Sequence, residues 1–255
     1  MDNSPHGQQR TAFSSETHSI IIDAESNKVF IVEDATGKRF ATLFGHSRGI
    51  LCKALGASEK RIATGSADRT VRVWMVNTGK CACTFFGHAG PVRCVGFSND
   101  EKLMVTGGAG HRAIVWDVNA SKCIVPLIGH SGEVICAVFS PDGQRVVTGS
   151  KDGTAWVWDA YTGKPAFFHL NHHSEVLCVA FSPNGRRIVT GATDHTPIVW
   201  DASSGKRLLM LHGHQAAVVH AGFSEDGGLI VTASAKGVFK FWDIQTGGCV
   251  QTARA

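Results

Sequence analysis

The hydrophobic positions of this chain fall into short runs, not long stripes. In EVICAVFS (133–140) apolar residues alternate and then give way to Pro141-Asp142-Gly143, a turn in which proline presets φ and glycine supplies a permissive one. A second run follows in RVVTGS (145–150), then a tight turn at Lys151-Asp152-Gly153, a third run in TAWVWD (154–159), a turn in AYTGK (160–164) and a last run in PAFFHL (165–170). Nowhere do apolar residues recur at helical spacing over ten or more positions. The pattern predicts four short strands per unit and an all-β chain.

The same grammar recurs. Trp74, Trp116, Trp158, Trp200 and Trp242 follow one another at steps of 42 residues. His46, His88, His130, His172 and His214 keep that step, as do Thr64, Thr106, Thr148, Thr190 and Thr232. Three columns in register five times over define a repeat. Extended backwards, the register puts Val32 under the tryptophans and Phe13-Ser14 under Phe97-Ser98 and its counterparts. A sixth, degenerate unit is therefore expected, with Ser4 in the His column, Ile22 in the Thr column and Ser26 in the Asp column. The predicted units are 4–45, 46–87, 88–129, 130–171, 172–213 and 214–255, after a short disordered stretch at 1–3. A four-stranded sheet of this size cannot cover both its faces alone, but sheets stacked radially cover one another. One β-propeller domain is the expected fold.

These residues resemble the WD-repeat β-propeller family. Gly45-His46, Gly87-His88, Gly129-His130 and Gly213-His214 match its signature, as do Trp116-Asp117, Trp158-Asp159, Trp200-Asp201 and Trp242-Asp243. Asn171 before His172 and Met75 after Trp74 depart from it. The resemblance implies a hydrogen-bonded tetrad in each blade. Its complete sets here are His46, Thr64, Asp68, Trp74; His130, Thr148, Asp152, Trp158; and His172, Thr190, Asp194, Trp200. Gly110 and Lys236 stand in the Asp column of the other two units, so water or a backbone carbonyl is expected to replace the carboxylate there. The six units fit either a closed six-bladed ring or an incomplete seven-bladed one.

Composition changes this picture little. The net charge of +4 is spread without a basic cluster, a weak argument for nucleic acid. No apolar run reaches the ~18 residues of a membrane span, and the N-terminus lacks a secretory pattern, so cytoplasm or nucleus is the expected location. Eight cysteines contain no C-x-x-C pair. Cys52, Cys94, Cys136 and Cys178 form one periodic column and Cys81, Cys123 and Cys249 another, both read as small buried hydrophobes, with Cys83 outside them the most reactive.

Three tempting constellations are set aside. Gly108-Ala109-Gly110-His111-Arg112-Ala113 has the spacing of a dinucleotide loop, but it occupies the turn columns of neighbouring units and no helix follows. The Thr, His and Asp of each tetrad suggest a catalytic triad, yet the trio recurs and no oxyanion loop accompanies it. The histidines of HLNHH (169–173) and HGH (212–214) are read as tetrad members (His172, His214) or as solvent-facing or packed residues, not metal ligands. No cofactor, metal or catalytic residue is expected.

The family resemblance implies a non-enzymatic scaffold that binds other proteins, within a multiprotein complex, on a propeller face. The residues expected to line that face are Arg48, Arg69, Arg93, Arg112, Glu133, Lys151, Glu175, Thr193 and His195, with an acidic sector around Glu133 and Glu175 and a basic one over 48–112. The alternative, a platform associated with nucleic acid, calls for stacking aromatics on the same face, and the sequence offers few.

Overall fold

The computed structural model describes residues 8–11, 18–23, 28–33, 39–166 and 169–254, with side chains from residue 41 onward. The expected tail at 1–3, Ser4 and Ser26 lie outside the described residues. Among the described residues there is no helix, and none therefore long and apolar enough to cross a membrane. The described residues form six four-stranded sheets, each made of four consecutive strands in antiparallel order.

We number these sheets as blades. Blade 1 holds Gln8–Thr11, His18–Asp23, Lys28–Glu33 and Arg39–Leu43, so the degenerate unit forms a blade of its own. Blade 2 holds Ile50–Leu55, Arg61–Ser66, Val71–Met75 and Cys81–Phe85; blade 3 holds Val92–Phe97, Leu103–Gly108, Arg112–Asp117 and Lys122–Ile128. Blade 4 holds Val134–Phe139, Arg145–Ser150, Thr154–Asp159 and Leu170–Asn171. Blade 5 holds Val176–Phe181, Arg187–Ala192, Ile198–Asp201 and Arg207–Met210, and blade 6 holds Val218–Phe223, Leu229–Ser234, Val238–Asp243 and Cys249–Arg254. Of the expected last strand PAFFHL, Phe167 and Phe168 lie outside the described residues; among the described ones Leu170–Asn171 pairs as a strand, and Pro165, which has no N–H to give a ladder, makes a single bridge to Trp158.

Second strands such as Arg61–Ser66 and Leu103–Gly108 are buried on both faces. The apolar clusters lie between successive blades, not within one. A side chain from the fourth strand of one blade, or just beyond it, shares each cluster with the tryptophan of the next: Leu43 with Trp74, Phe85 with Trp116, Leu127 with Trp158, Leu170 with Trp200 and Leu211 with Trp242. Each such leucine is fully buried, worth roughly 1.5–3 kcal/mol.

First strands meet through a repeated socket. A Cβ on Gly107 would lie 2.5 Å from Val134 Cγ1 of the next blade and 2.9 Å from Cys94 Sγ. Glycine is thus required by close approach, and Gly65, Gly149 and Gly191 repeat the arrangement with Val92, Val176 and Val218. This answers the apparent dinucleotide loop: Gly107 and Gly108 end a strand, and the chain turns directly into the next one at Arg112. Blade 6 lacks the socket, carrying Ala233 and an exposed His220 in the Gly and Cys columns. Its Phe239 is 36% exposed where Val71, Ala113 and Ala155 are fully buried.

Two expectations about thiols are corrected. Cys81, Cys123 and Cys249 are exposed, because they lie at the start of the outermost strand of each sheet, where neighbouring residues are exposed as well. Cys83 is half-buried, and burial pushes its thiol up, which disfavours the thiolate. Burial likewise raises Cys52 and Cys178 to about 12.

Candidate protein-binding face

One end of the propeller carries the loops that follow each His and the tight turns between second and third strands. The tetrad ties these two segments together. In blade 4 the Trp158 indole donates to Thr148 Oγ1 at 2.8 Å, and the Thr148 hydroxyl lies 2.8 Å from His130 Nε2. Because the hydroxyl accepts from the indole, its own proton goes to Nε2, which leaves the imidazole proton on Nδ1. That proton is taken by Asp152 Oδ2 at 2.8 Å. Blade 2 repeats the set with Trp74, Thr64, His46 and Asp68, and blade 5 with Trp200, Thr190, His172 and Asp194.

The carboxylate does more than orient the ring. Asp152 also accepts from the backbone N–H of Ser131 and Thr154 at 3.0 and 2.9 Å and from the Thr154 hydroxyl at 2.5 Å. Asp68 is held in the same way by Ser47 and Thr70. Burial works to raise both carboxyls, but these hydrogen bonds overcome it and bring Asp68 and Asp152 down to about 2. Burial lowers His46, His130 and His172, opposed by their aspartates, so the imidazoles stay neutral.

Blades 3 and 6 keep the indole, hydroxyl and imidazole: Trp116, Thr106 and His88 in one, Trp242, Thr232 and His214 in the other. The expected backbone carbonyl does not take the place of the missing carboxylate. His88 Nδ1 and His214 Nδ1 are buried with no protein partner. The threonine partner of the aspartate is lost along with it, replaced by Arg112 and Val238. Burial, with the Arg112 cation second, lowers His88 to about 4.

The predicted face residues all fall on these loops, turns and adjoining strand ends. Arg48, Arg69, Arg93, Lys151, Glu175 and His195 are exposed, and Arg112, Glu133 and Thr193 are half-buried. Glu133 sits 2.7 Å from Lys151 and 3.8 Å from Arg93, bridging blades 3 and 4. The acidic sector is therefore partly neutralised from within, and Glu175 stays outside that ion-pair cluster. Among the described residues no three His, Cys, Asp or Glu side chains gather as a metal site, and His169 stacks on Trp156 at 5.7 Å.

Two features escaped sequence reasoning. At the third residue of the tight turn, Arg69, His111 and His195 adopt positive φ (70°, 59° and 67°) where blades 4 and 6 place Gly153 and Gly237. The signal was present, since two glycines in a turn column mark a left-handed position. Phe44, Phe86 and Ile128, each just before a Gly-His pair, are 63%, 73% and 69% exposed on three successive blades.

The family model described as WD domain, G-beta repeat (WD40), matches residues 37–75, 79–117, 121–159, 164–201 and 205–243. Each matched repeat starts near the last strand of one blade and ends at the third strand of the next, so the first three strands of blade 1 and the last of blade 6 lie outside the matches. No curated protein matches the chain.

Proposed function

The chain belongs to the WD40-repeat family, whose repeats generally mediate protein–protein scaffolding without catalysis, and from that premise we propose that its loop-and-turn face docks a partner protein. The observation that carries this reading is the gathering of exposed Arg48, Arg69, Arg93, His111 and His195 beside the exposed apolar Phe44, Phe86 and Ile128; the left-handed backbone of Arg69, His111 and His195 accompanies it and is shared by Glu59 and Glu101 in turns between first and second strands. Left-handed backbone at a non-glycine residue costs roughly 1 kcal/mol, and glycine already occupies the same position in blades 4 and 6. At Arg69, His111 and His195 that cost falls on large polar side chains. They stand among Arg48, Arg93 and Arg112 on one face, with apolar Phe44, Phe86 and Ile128 at the adjoining loop starts. Apolar anchors beside a charged rim are the ordinary composition of a protein-binding surface.

The test is the triple variant Arg69→Gly, His111→Gly and His195→Gly. Its stability should equal or exceed that of the unaltered protein, while affinity capture of partners from native extract falls. Arg186→Ala, in an exposed turn between the first two strands of blade 5, serves as the control. Capture unchanged by the triple variant overturns the reading.

A further inference from the structure

We infer that blade 3 holds a site for a carboxylate of an acidic partner segment, which takes the place of the aspartate this blade lacks. In blade 4, one carboxylate answers four donors: His130 Nδ1, the amides of Ser131 and Thr154, and the Thr154 hydroxyl. Blade 3 preserves the imidazole donor and deletes the acceptor. Trp116 donates to Thr106 Oγ1 at 2.8 Å, and Thr106 lies 2.7 Å from His88 Nε2. No other hydrogen-bond partner of that hydroxyl is found, so its proton goes to Nε2 and Nδ1 carries the imidazole N–H. His88 is 7% exposed, and its Nδ1 has no protein partner. A buried donor left in this way costs roughly 1–3 kcal/mol.

Charge points the same way. Where blades 2 and 4 have an Asp and a Thr, blade 3 has Gly110 and Arg112, so a carboxylate has given way to a guanidinium. Arg112 Nη2 bonds the Gly87 carbonyl, while its Nε is buried without a partner. The nearby acid, Glu133, is engaged by Lys151 and Arg93. Two unpartnered buried donors, one of them on the Arg112 cation, thus belong to this end of blade 3, where Gly110 leaves the tetrad without its carboxylate.

Position 110 itself has room for a side chain. A Cβ built on Gly110 meets its nearest neighbours, Ala89 Cβ and N, at 3.4 and 3.5 Å, which is ordinary contact, and Gly110 is not in the left-handed region. Glycine is therefore not demanded by the fold here. The loops on either side, Ala89-Gly90 and Ala109-Gly110, carry at most a methyl group and meet closely, so parting them to admit a ligand uncovers little apolar surface. Phe86, 73% exposed and two residues before His88, offers an apolar contact beside the entrance. An acidic residue next to an apolar one is the matching chemistry. This rests on the loop face being the docking face, but its test uses no partner protein.

Formate is the first probe, against chloride at equal ionic strength. In the unaltered protein, formate should shift the His88 Nδ1–H resonance saturably and raise the melting temperature. Gly110→Asp should raise the melting temperature without formate and weaken the formate response at least about tenfold. Gly110→Ala, which adds the Cβ without a carboxylate, should retain the response. No saturable shift, or equal loss in Gly110→Asp and Gly110→Ala, overturns the site. An N-acetylated Phe-Glu dipeptide amide should bind more tightly than formate; binding no tighter overturns the assignment to a peptide. Formate binding together with partner capture indifferent to the triple glycine variant would reject the docking face and leave the carboxylate site standing.

Discussion

Blades 3 and 4 are neighbours whose first three strands match and which share a buried indole, hydroxyl and imidazole, yet they end their hydrogen-bond chains differently. In blade 4 the chain closes on Asp152, which also fastens the turn to the preceding loop through Ser131 and Thr154. In blade 3 it stops at His88 Nδ1. The difference teaches that packing and the tetrad are separable: Trp116 is as buried and as well bonded as its counterparts although the outer end of its network is open. What the missing carboxylate changes is the loop face, not the core.

Five measurements break or sharpen the contrast. The largest effect is expected from Trp158→Ala, which removes a fully buried indole stacked at 5.0 Å on Trp156 and should cost about 3–5 kcal/mol by urea denaturation. A cost below that of Asp152→Ala would mean that the tetrad, not packing, dominates blade stability.

Acid titration comes next. His88 has its folded pKa depressed to about 4 from an ordinary 6.5, so the unfolded chain binds the proton more readily. Its contribution is fully present above pH 6.5 and is lost as pH falls towards 4, up to about 3 kcal/mol. Asp152, depressed to about 2, keeps its contribution above the ordinary carboxylate value of 3.8 and loses it only as pH falls towards 2. Burial lowers His130 as well, but Asp152 opposes it where Arg112 adds to the lowering of His88, so amides of blade 3 should lose hydrogen-exchange protection before those of blade 4 on acidification. Simultaneous loss would show that Arg112 and burial do not set blade 3 apart.

Smaller effects follow from moving the carboxylate. Asp152→Ala should destabilise by about 2 kcal/mol, since it strands the His130 N–H and the Thr154 hydroxyl. Gly110→Asp should stabilise by about 1 kcal/mol, because the donor is in place and the Cβ fits. At neutral pH the turn Ala109–His111 should exchange its amides about fivefold faster than the turn Lys151–Gly153, the smallest of these differences.

Much of the fold was legible because the repeat is strict. Alternating apolar runs place strands, and the columns of Trp74, Thr64 and His46 place the tetrad without reference to anything outside one unit. The site was legible in part. Arg69, Arg112, Glu133 and His195 could be put on the loop face from their columns, but their roles there could not. Glu133 draws Lys151 from its own blade and Arg93 from the one before, a meeting that depends on how two sheets are rotated against each other. Cys81 and Cys94 look alike as periodic thiols, yet one is exposed on a fourth strand and the other is buried against Val134.

Sequence by itself determined the size of each sheet, the order of its strands and the atoms available to pin its turns, since these follow from local alternation and turn chemistry. Only the tertiary structure decided which glycines are demanded by a neighbouring blade, which charges are already paired, and which imidazole proton has no acceptor. Those outcomes are set by distances between segments about 20 to 40 residues apart, and a pattern along the chain holds no information about such distances until the sheets are stacked.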